Sequence, residues 1–186
     1  MRTFALAFAA LAAAAIPARA ELESGPKVGS DVAPFHIVDV TGGAAGKEHC
    51  YRCEYGDNPV VAIFATEIND KIVKACKELD GQIGASKDLK GFFVFLTDDV
   101  AAAKTKLTEV AKTNGLKNLP LTVYEGKAGP KDFSLSKDAG VTLVCWKDSS
   151  VKMTAAYAPG KFCDHCAKGA IAKFTKGETK TEKAGG

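Results

Sequence analysis

The sequence predicts an α/β fold, a three-layer α/β/α sandwich with a mixed central sheet and an N-terminal strand or hairpin extension. Continuously apolar, β-branched stretches alternate with stretches whose apolar residues recur every three or four positions. These patterns are typical of buried strands and amphipathic helices. Strands separated by helices require right-handed parallel crossovers, whereas two late strands joined by a short polar turn form an antiparallel hairpin. The predicted sheet is therefore mixed.

Six stretches supply the predicted strands. The first alternates between apolar and polar residues, whereas the second (PVVAIFA) is apolar throughout, as expected for a central strand covered on both faces. The stretch between these two, residues 41–58, carries four glycines and predicts a long loop or hairpin. The predicted strands are residues 35–40, 59–65, 92–96, 119–124, 141–146 and 151–157.

Two helices are predicted between these strands. Apolar residues recur at helical spacing from position 68 to 83, and Thr66 can cap this helix. The second helix follows Asp98 or Asp99, either of which can serve as its N-cap, and Gly115 ends it.

The N-terminus has the pattern of a secretory signal peptide. Arg2 precedes an apolar run from Phe4 to Ile16, and small residues lead to a cleavage site near Ala20-Glu21. The prediction is a secreted or periplasmic protein whose signal peptide is residues 1–20. No later apolar run is long enough to cross a bilayer, so no integral membrane segment is expected in the mature chain.

The mature chain is predicted to be one domain. Residues 21–34 form an N-terminal surface segment, residues 35–175 form the α/β domain, and residues 176–186 form a disordered, Lys-rich tail. Loss of Arg2 and Arg19 with the signal leaves 23 basic residues against 22 acidic ones, a net charge near +1. This balance argues against nucleic acid as a partner. The oligomeric state stays open.

Six cysteines lie in the mature chain, where an exported protein can form disulfides. Four of them form two C-x-x-C pairs, Cys50/Cys53 and Cys163/Cys166, and two are isolated. A disulfide across four residues constrains the unfolded chain by only about 2 kcal/mol, against about 4 or more for a long loop. Such pairs therefore stabilise a fold only slightly. Their possible roles are redox exchange, metal binding and local ordering of the chain.

The element order and the stretches GDNPVVAIFATE, FFVFLTDD and AGVTLVCWKDSSV resemble the thioredoxin-like superfamily in its redoxin (peroxiredoxin-like) type. The resemblance covers roughly residues 33–175. It also extends to exported redoxin-like proteins with a C-x-x-C just before a GDNPV-type strand. It implies a thioredoxin-like fold, and a reactive cysteine at the first turn after the central strand.

The chain departs from this family at its usual active-site position. Residues 65–70 contain no cysteine, and Glu67 and Asp70 would raise the pKa of a thiol placed there. The family also has a cis-proline before the strand that starts near Val141, where this chain has Gly140. The peroxidase pattern of proline, threonine and cysteine is absent. These departures argue against hydroperoxide reduction.

Cys163 and Cys166 form the first displaced redox candidate. They lie at the predicted start of a third helix, whose apolar face runs to Phe174 after a Pro-Gly break. A helix N-terminus favours a thiolate, and His165 can add positive charge, whereas Asp164 opposes it. The alternative is a small local disulfide or a pair of core thiols.

Cys50 and Cys53 form the second candidate. His49 and Arg52 can lower a thiol pKa here, but a Gly-rich loop lacks a helix dipole. The alternative is a disulfide that orders the hairpin. The isolated cysteines, Cys76 and Cys145, are predicted to be small buried hydrophobes.

The functional hypothesis is thiol–disulfide exchange with thiols or disulfides of other exported proteins. Cys163 would attack and Cys166 would resolve the mixed disulfide. A second hypothesis is a non-catalytic structural or interaction module with permanent disulfides. A third is a metal-binding protein in which Cys50, Cys53, Cys163 and Cys166 form a tetrahedral four-cysteine site. Apart from that alternative, no metal or cofactor is predicted, and neither pair is followed by the histidine that c-type haem attachment requires.

Overall fold

The computed structural model describes residues 22–177 and contains a seven-stranded sheet and four helices within them. The signal-peptide prediction for residues 1–20 and most of the predicted tail, residues 178–186, lie outside this range. The strands are β1 (Ile37–Asp39), β2 (Glu48–His49), β3 (Val60–Ala65), β4 (Lys90–Thr97), β5 (Leu121–Glu125), β6 (Val141–Lys147) and β7 (Ser150–Tyr157). The helices are α1 (Tyr51–Tyr55), α2 (Asp70–Ala85), α3 (Val100–Asn114) and α4 (Asp164–Thr175).

The sheet is mixed, as the sequence predicts. Its strand order is β2-β1-β5-β4-β3-β6-β7. Strands β3, β4 and β5 are parallel, and α2 and α3 connect them. Strand β6 runs antiparallel to β3, and β7 pairs with β6 through the predicted hairpin. The end of β7 therefore returns to the edge of the sheet where β3 ends.

Two layers cover the sheet, which confirms the α/β/α sandwich. Within β3, Val61 and Ile63 face a core cluster shared with α2, α3 and α4. Val60, Ala62 and Phe64 face a second cluster on the other side. Because both faces are covered, every residue of β3 is buried, and this explains its continuous apolar sequence.

The second layer is built without long helices. It consists of α1, a short 3₁₀ turn at Lys131–Phe133 and the segment that precedes β1. That segment, predicted to follow the surface, also contributes to the core: Val32 is buried, and the hydroxyls of Ser24 and Thr142 hydrogen-bond at 2.7 Å. The N-terminal segment is thus anchored to the sheet.

The cap of α2 differs from the prediction. Asn69 is the N-cap, and its side chain accepts a hydrogen bond from the backbone N–H of Ile72 at 3.1 Å. Thr66 does not cap the helix, because its own N–H still donates to Gly140 O at 2.9 Å and so extends the sheet pairing. The prediction for α3 is confirmed: Asp99 caps it, and Gly115 ends it in the left-handed conformation at φ 65°.

Residues 41–58, predicted as a long loop or hairpin, contain the second strand of a hairpin and, in addition, a short helix. Glu48 and His49 pair with β1, and α1 follows at once with Cys50 as its N-cap. The Tyr51 hydroxyl donates to the buried Asp39 carboxylate at 2.8 Å, and its ring stacks on Phe92. These contacts hold α1 against the sheet. The helix is too short to be recognised from the periodicity of its apolar residues.

None of the helices in the described part of the chain is both long and apolar enough to cross a bilayer.

Candidate functional site

The Cys163–Cys166 pair forms a disulfide at the N-terminus of α4, with a Cα–Cα distance of 5.2 Å. Cys163 is the N-cap, and its Sγ accepts a hydrogen bond from the backbone N–H of Cys166 at 3.1 Å. Cys163 is half-buried, whereas His165 and Cys166 are exposed. An external thiol can therefore reach this disulfide, and the helix N-terminus stabilises a thiolate at Cys163.

Local sequence fixes where α4 begins. Gly160 adopts φ 70°, which favours glycine, in the turn that follows β7. Phe162 is buried and packs edge-on against Tyr157, with ring centroids 5.1 Å apart. The helix then buries one apolar face against the sheet and α2, as its periodicity predicts. The buried residues of that face are Ala167, Ala170, Ile171 and Phe174.

The disulfide lies beside the start of α2. The backbone N–H of Gly160 donates to Glu67 Oε1 at 3.0 Å. Lys74 of α2 forms an ion pair with Asp164 at 2.7 Å. Helices α2 and α4 therefore start at the same edge of the sheet. The displaced pair thus occupies the neighbourhood of the family's usual active site, from a different helix.

The negative charge of Asp164 disfavours a thiolate at Cys163 less than its position in the sequence implies. The hydrogen bond from Lys74 lowers the pKa of Asp164, so this carboxylate is ionised and paired at neutral pH. The lysine charge offsets the carboxylate charge next to Cys163. Sequence analysis missed Lys74 because it lies in another helix, and only the topology brings it to the disulfide.

Gly140 takes the place of the family's cis-proline for a steric reason. A Cβ at this position would lie 2.7 Å from Cα of Pro159, inside the contact distance of real Cβ atoms. Gly140 also donates to Tyr157 O at 2.8 Å and accepts from Thr66 N. The strand from residue 140 therefore holds the segment that leads to Cys163. Sequence analysis noted this glycine only as a missing proline.

Replacing Gly140 by alanine is expected to lower the free energy of unfolding by about 1–3 kcal/mol, because Pro159 backbone atoms must move. Gly169 provides the matched control. It lies inside α4 with open space around its Cα, so Gly169→Ala is expected to raise stability by about 0.5–1 kcal/mol. Urea unfolding of both variants measures the difference. Equal stability of the two variants would contradict the close approach.

The Cys50–Cys53 pair also forms a disulfide, with a Cα–Cα distance of 5.3 Å. The predicted loop is wrong here, since Cys50 caps α1 and its Sγ accepts from Cys53 N at 3.1 Å. This helix has only five residues, and Cys50 is 9% exposed. His49 forms an ion pair with Glu54, which compensates any positive charge on the imidazole. The surroundings favour a thiolate less than those of Cys163.

The structure does not bring the two pairs together. Helix α1 precedes the start of β3, whereas Cys163 follows Tyr157, which pairs with Val141 opposite the end of β3. The helices of the two pairs also contribute to core clusters on opposite faces of the sheet. The four-cysteine metal site is therefore not assembled. Residues 22–177 contain no cluster of three or more His, Cys, Asp or Glu side chains that could hold a metal ion.

Cys76 and Cys145 are free and buried, as the sequence predicts. Burial raises the pKa of Cys76 to about 12 and raises that of Cys145 as well. Neither thiol is expected to exchange with external disulfides while the protein is folded.

The comparisons with known proteins agree with this architecture. The chain matches no protein-family model and no curated protein. Solved structures match over most of the chain. An uncharacterized conserved protein from Geobacillus kaustophilus has a TM-score of 0.62 at 13% identity, covering 87% of this chain and 89% of that one.

Two further matches have names that refer to thiol chemistry. A candidate protein disulfide isomerase from Bacteroides thetaiotaomicron has a TM-score of 0.58 at 16% identity, covering 83% of this chain and 95% of that one. The yeast mitochondrial 1-Cys peroxiredoxin has a TM-score of 0.55 at 14% identity, covering 87% and 83%.

The chain has a thioredoxin-like fold. Its structural neighbours include proteins named as thiol–disulfide oxidoreductases and peroxiredoxin-like proteins, as the sequence resemblance implies. In this thioredoxin-like protein the turn after the central strand, residues 66–69, contains no cysteine. The two C-x-x-C disulfides lie elsewhere, and one of them begins the neighbouring helix.

Proposed function

We propose that this protein carries out thiol–disulfide exchange through Cys163 and Cys166. The observation that carries the proposal is an accessible disulfide whose first sulfur caps a twelve-residue helix at the same sheet edge where α2 begins. Helix N-termini lower cysteine pKa values and so supply the thiolate that exchange requires. The thiol chemistry named for structural neighbours adds support.

The reduced protein acts through two exchanges. The Cys163 thiolate attacks one sulfur of a substrate disulfide, forms a mixed disulfide and releases one substrate thiolate. Cys166, as thiolate, then attacks Cys163 Sγ, releases the second substrate thiolate and restores the Cys163–Cys166 disulfide. Two electrons pass to the substrate, and the protein is oxidised; the reverse sequence oxidises a dithiol.

We also propose that the protein is exported from the cytoplasm. Residues 1–20 carry the features of a cleaved signal peptide, and removal near Ala20-Glu21 would place the cysteines in an oxidising compartment. The substrates would then be thiols or disulfides of other exported proteins. N-terminal sequencing of the protein recovered outside the cytoplasm tests this. A mature N-terminus at Glu21 supports export, and retention of Met1 in the cytoplasm contradicts it.

An exchange assay tests the activity directly. Purified protein, incubated with insulin and dithiothreitol or with a glutathione redox buffer, is expected to accelerate disulfide reduction over buffer alone. A protein that is inert toward insulin and glutathione at every redox poise contradicts the proposal.

A second function is favoured by the region around the start of α2. Residues 66–69 lack a cysteine, and Glu67 instead accepts the N–H of Gly160, which ties two segments together. This arrangement suits a non-catalytic scaffold with permanent disulfides. Reduction potentials below about −300 mV for both pairs would identify that function, since structural disulfides resist reduction to this degree.

A further inference from the structure

A cleft of about 380 Å³, lined by charged residues and a histidine, lies between α2 and the N-terminal part of α4. Both residues between the two cysteines, Asp164 and His165, line it. A molecule in this cleft therefore contacts the four-residue loop that the disulfide closes. The remaining lining residues are Lys74, Lys77, Glu78 and Lys168.

The charges of the cleft are unevenly paired. Both carboxylates are neutralised, since Asp164 pairs with Lys74 at 2.7 Å and Glu78 pairs with Lys168. Within the described residues, Lys77 has no ion-pair partner, and the exposed His165 ring has no hydrogen-bond partner. The cleft thus offers unpaired donors and no unpaired acceptor charge.

We propose that this cleft binds a carboxylate of the thiol that exchanges with Cys163–Cys166, so that the protein selects anionic thiols. The inference rests on the proposed exchange activity and specifies its substrate class. The Lys77 ammonium carries a fixed positive charge, and a histidine ring offers an N–H donor in either protonation state. Both groups line the cleft, so a carboxylate bound there can accept from either of them.

Binding of a carboxylate in the cleft is expected to accelerate exchange, because His165 lies between Cys163 and Cys166 in the sequence. A carboxylate held by Lys77 and His165 positions the attached thiol at the disulfide and raises its local concentration. The same chemistry occurs in a small acidic thiol such as glutathione and in a cysteine flanked by acidic residues in a protein segment. The shared requirement is a thiol with a nearby carboxylate.

Three thiols of similar size test the charge preference: mercaptopropionate, mercaptoethanol and cysteamine. Rates of reduction of Cys163–Cys166 are followed by alkylation and peptide mass spectrometry and compared at equal thiolate concentration. The variants are Lys77→Gln and His165→Gln. Lys106→Gln, at an exposed position of α3, is the matched control.

The wild type and Lys106→Gln are expected to react faster with mercaptopropionate than with mercaptoethanol, and slowest with cysteamine. Lys77→Gln should lower the anionic-to-neutral rate ratio about fivefold, as expected for one lost charge at about 4 Å in water. The preference should also disappear at about 1 M salt, where the screening length is about 3 Å. Equal rate ratios in the wild type and Lys77→Gln would overturn the inference.

Failure of the inference differs from failure of the proposed function. If all three thiols reduce the bond with no charge preference, exchange stands and the cleft assignment is wrong. If none reduces it, both are wrong.

A second arm identifies the source of the carboxylate. Glutathione is compared with cysteine peptides whose flanking residues are glutamate or glutamine. Faster reaction of the glutamate peptide than of glutathione supports a protein segment as the occupant. Faster reaction of glutathione supports a small acidic thiol. Equal rates for the glutamate and glutamine peptides, together with a slow reaction of glutathione, overturn carboxylate recognition.

Discussion

Replacement of Cys163 by serine is expected to abolish thiol–disulfide exchange, with a loss on the order of a thousandfold or more, because the attacking thiolate is removed. The hydroxyl of serine can still cap α4, as Cys163 does now. Loss of the four-residue disulfide loop removes only about 2 kcal/mol of stability. The variant should therefore fold, and the insulin assay reports its chemistry.

The other cysteine pair supplies the control. A Cys50→Ser, Cys53→Ser variant loses a disulfide of the same loop length at the opposite end of the sheet. It is expected to keep exchange activity within about twofold of the wild type, since α1 takes no part in the reaction. Activity that survives in Cys163→Ser but disappears in the double variant would move the site to Cys50–Cys53.

Replacement of Asp80 by alanine is expected to lower the free energy of unfolding by about 2–4 kcal/mol. Asp80 is 8% exposed, and one carboxylate oxygen accepts backbone N–H groups from Lys117, Asn118 and Leu119 at 2.7–2.9 Å. Alanine leaves these donors without their acceptor in a poorly solvated site. The carboxylate thereby joins α2 to the segment that enters β5.

The effect of Asp80 depends on pH. Burial opposes ionisation, but the hydrogen bonds from residues 117–119 outweigh it and hold the pKa of Asp80 below its usual value. A lowered folded-state pKa contributes stability that is present above the unfolded-state pKa. The difference between wild type and Asp80→Ala should thus be complete at neutral pH and shrink as the pH falls below about 4.

Urea unfolding measures this effect, with fluorescence of the only tryptophan, the fully buried Trp146, as the signal. Asp88→Ala is the matched control because Asp88 is exposed. It should change stability by no more than about 0.5 kcal/mol. A stability difference for Asp80→Ala that grows in acid would contradict the assigned hydrogen bonds.

Periodicity was sufficient to predict most of the fold. The apolar run of β3 and the helical spacing of α2 reflect which positions are buried, and the buried positions are largely those with apolar side chains. Helix α1 escaped prediction because five residues give no repeat, and its position depends on Tyr51 packing against a distant strand. The cap of α2 was misplaced because Thr66 and Asn69 are both suitable caps, and tertiary pairing of Thr66 decided between them.

The candidate site was predictable only in its local part. The Pro-Gly break and the apolar spacing after it place Cys163 at a helix start. Its neighbours could not be predicted from local spacing. Lys74 lies in another helix, and Gly140 meets Pro159, in the segment before Cys163, only through the pairing of β6 with β7. Whether a C-x-x-C pair is reactive depends on these distant groups, so sequence alone could not separate the two pairs.

The central claim is that Cys163–Cys166 is an exchanging disulfide and Cys50–Cys53 is a structural one. Cys163 leaves as a thiolate stabilised by a twelve-residue helix, whereas Cys50 is buried at a five-residue helix, and burial disfavours its thiolate. A redox titration of the protein, with alkylation and peptide mapping at each poise, tests this directly.

We predict that Cys163 and Cys166 become alkylated at poises between about −270 and −120 mV, the range of exchanging disulfides, while Cys50 and Cys53 stay oxidised to about −300 mV. The buried Cys76 and Cys145 should react only after unfolding. Reduction of Cys50–Cys53 first, or resistance of both pairs at about −300 mV, would contradict the account.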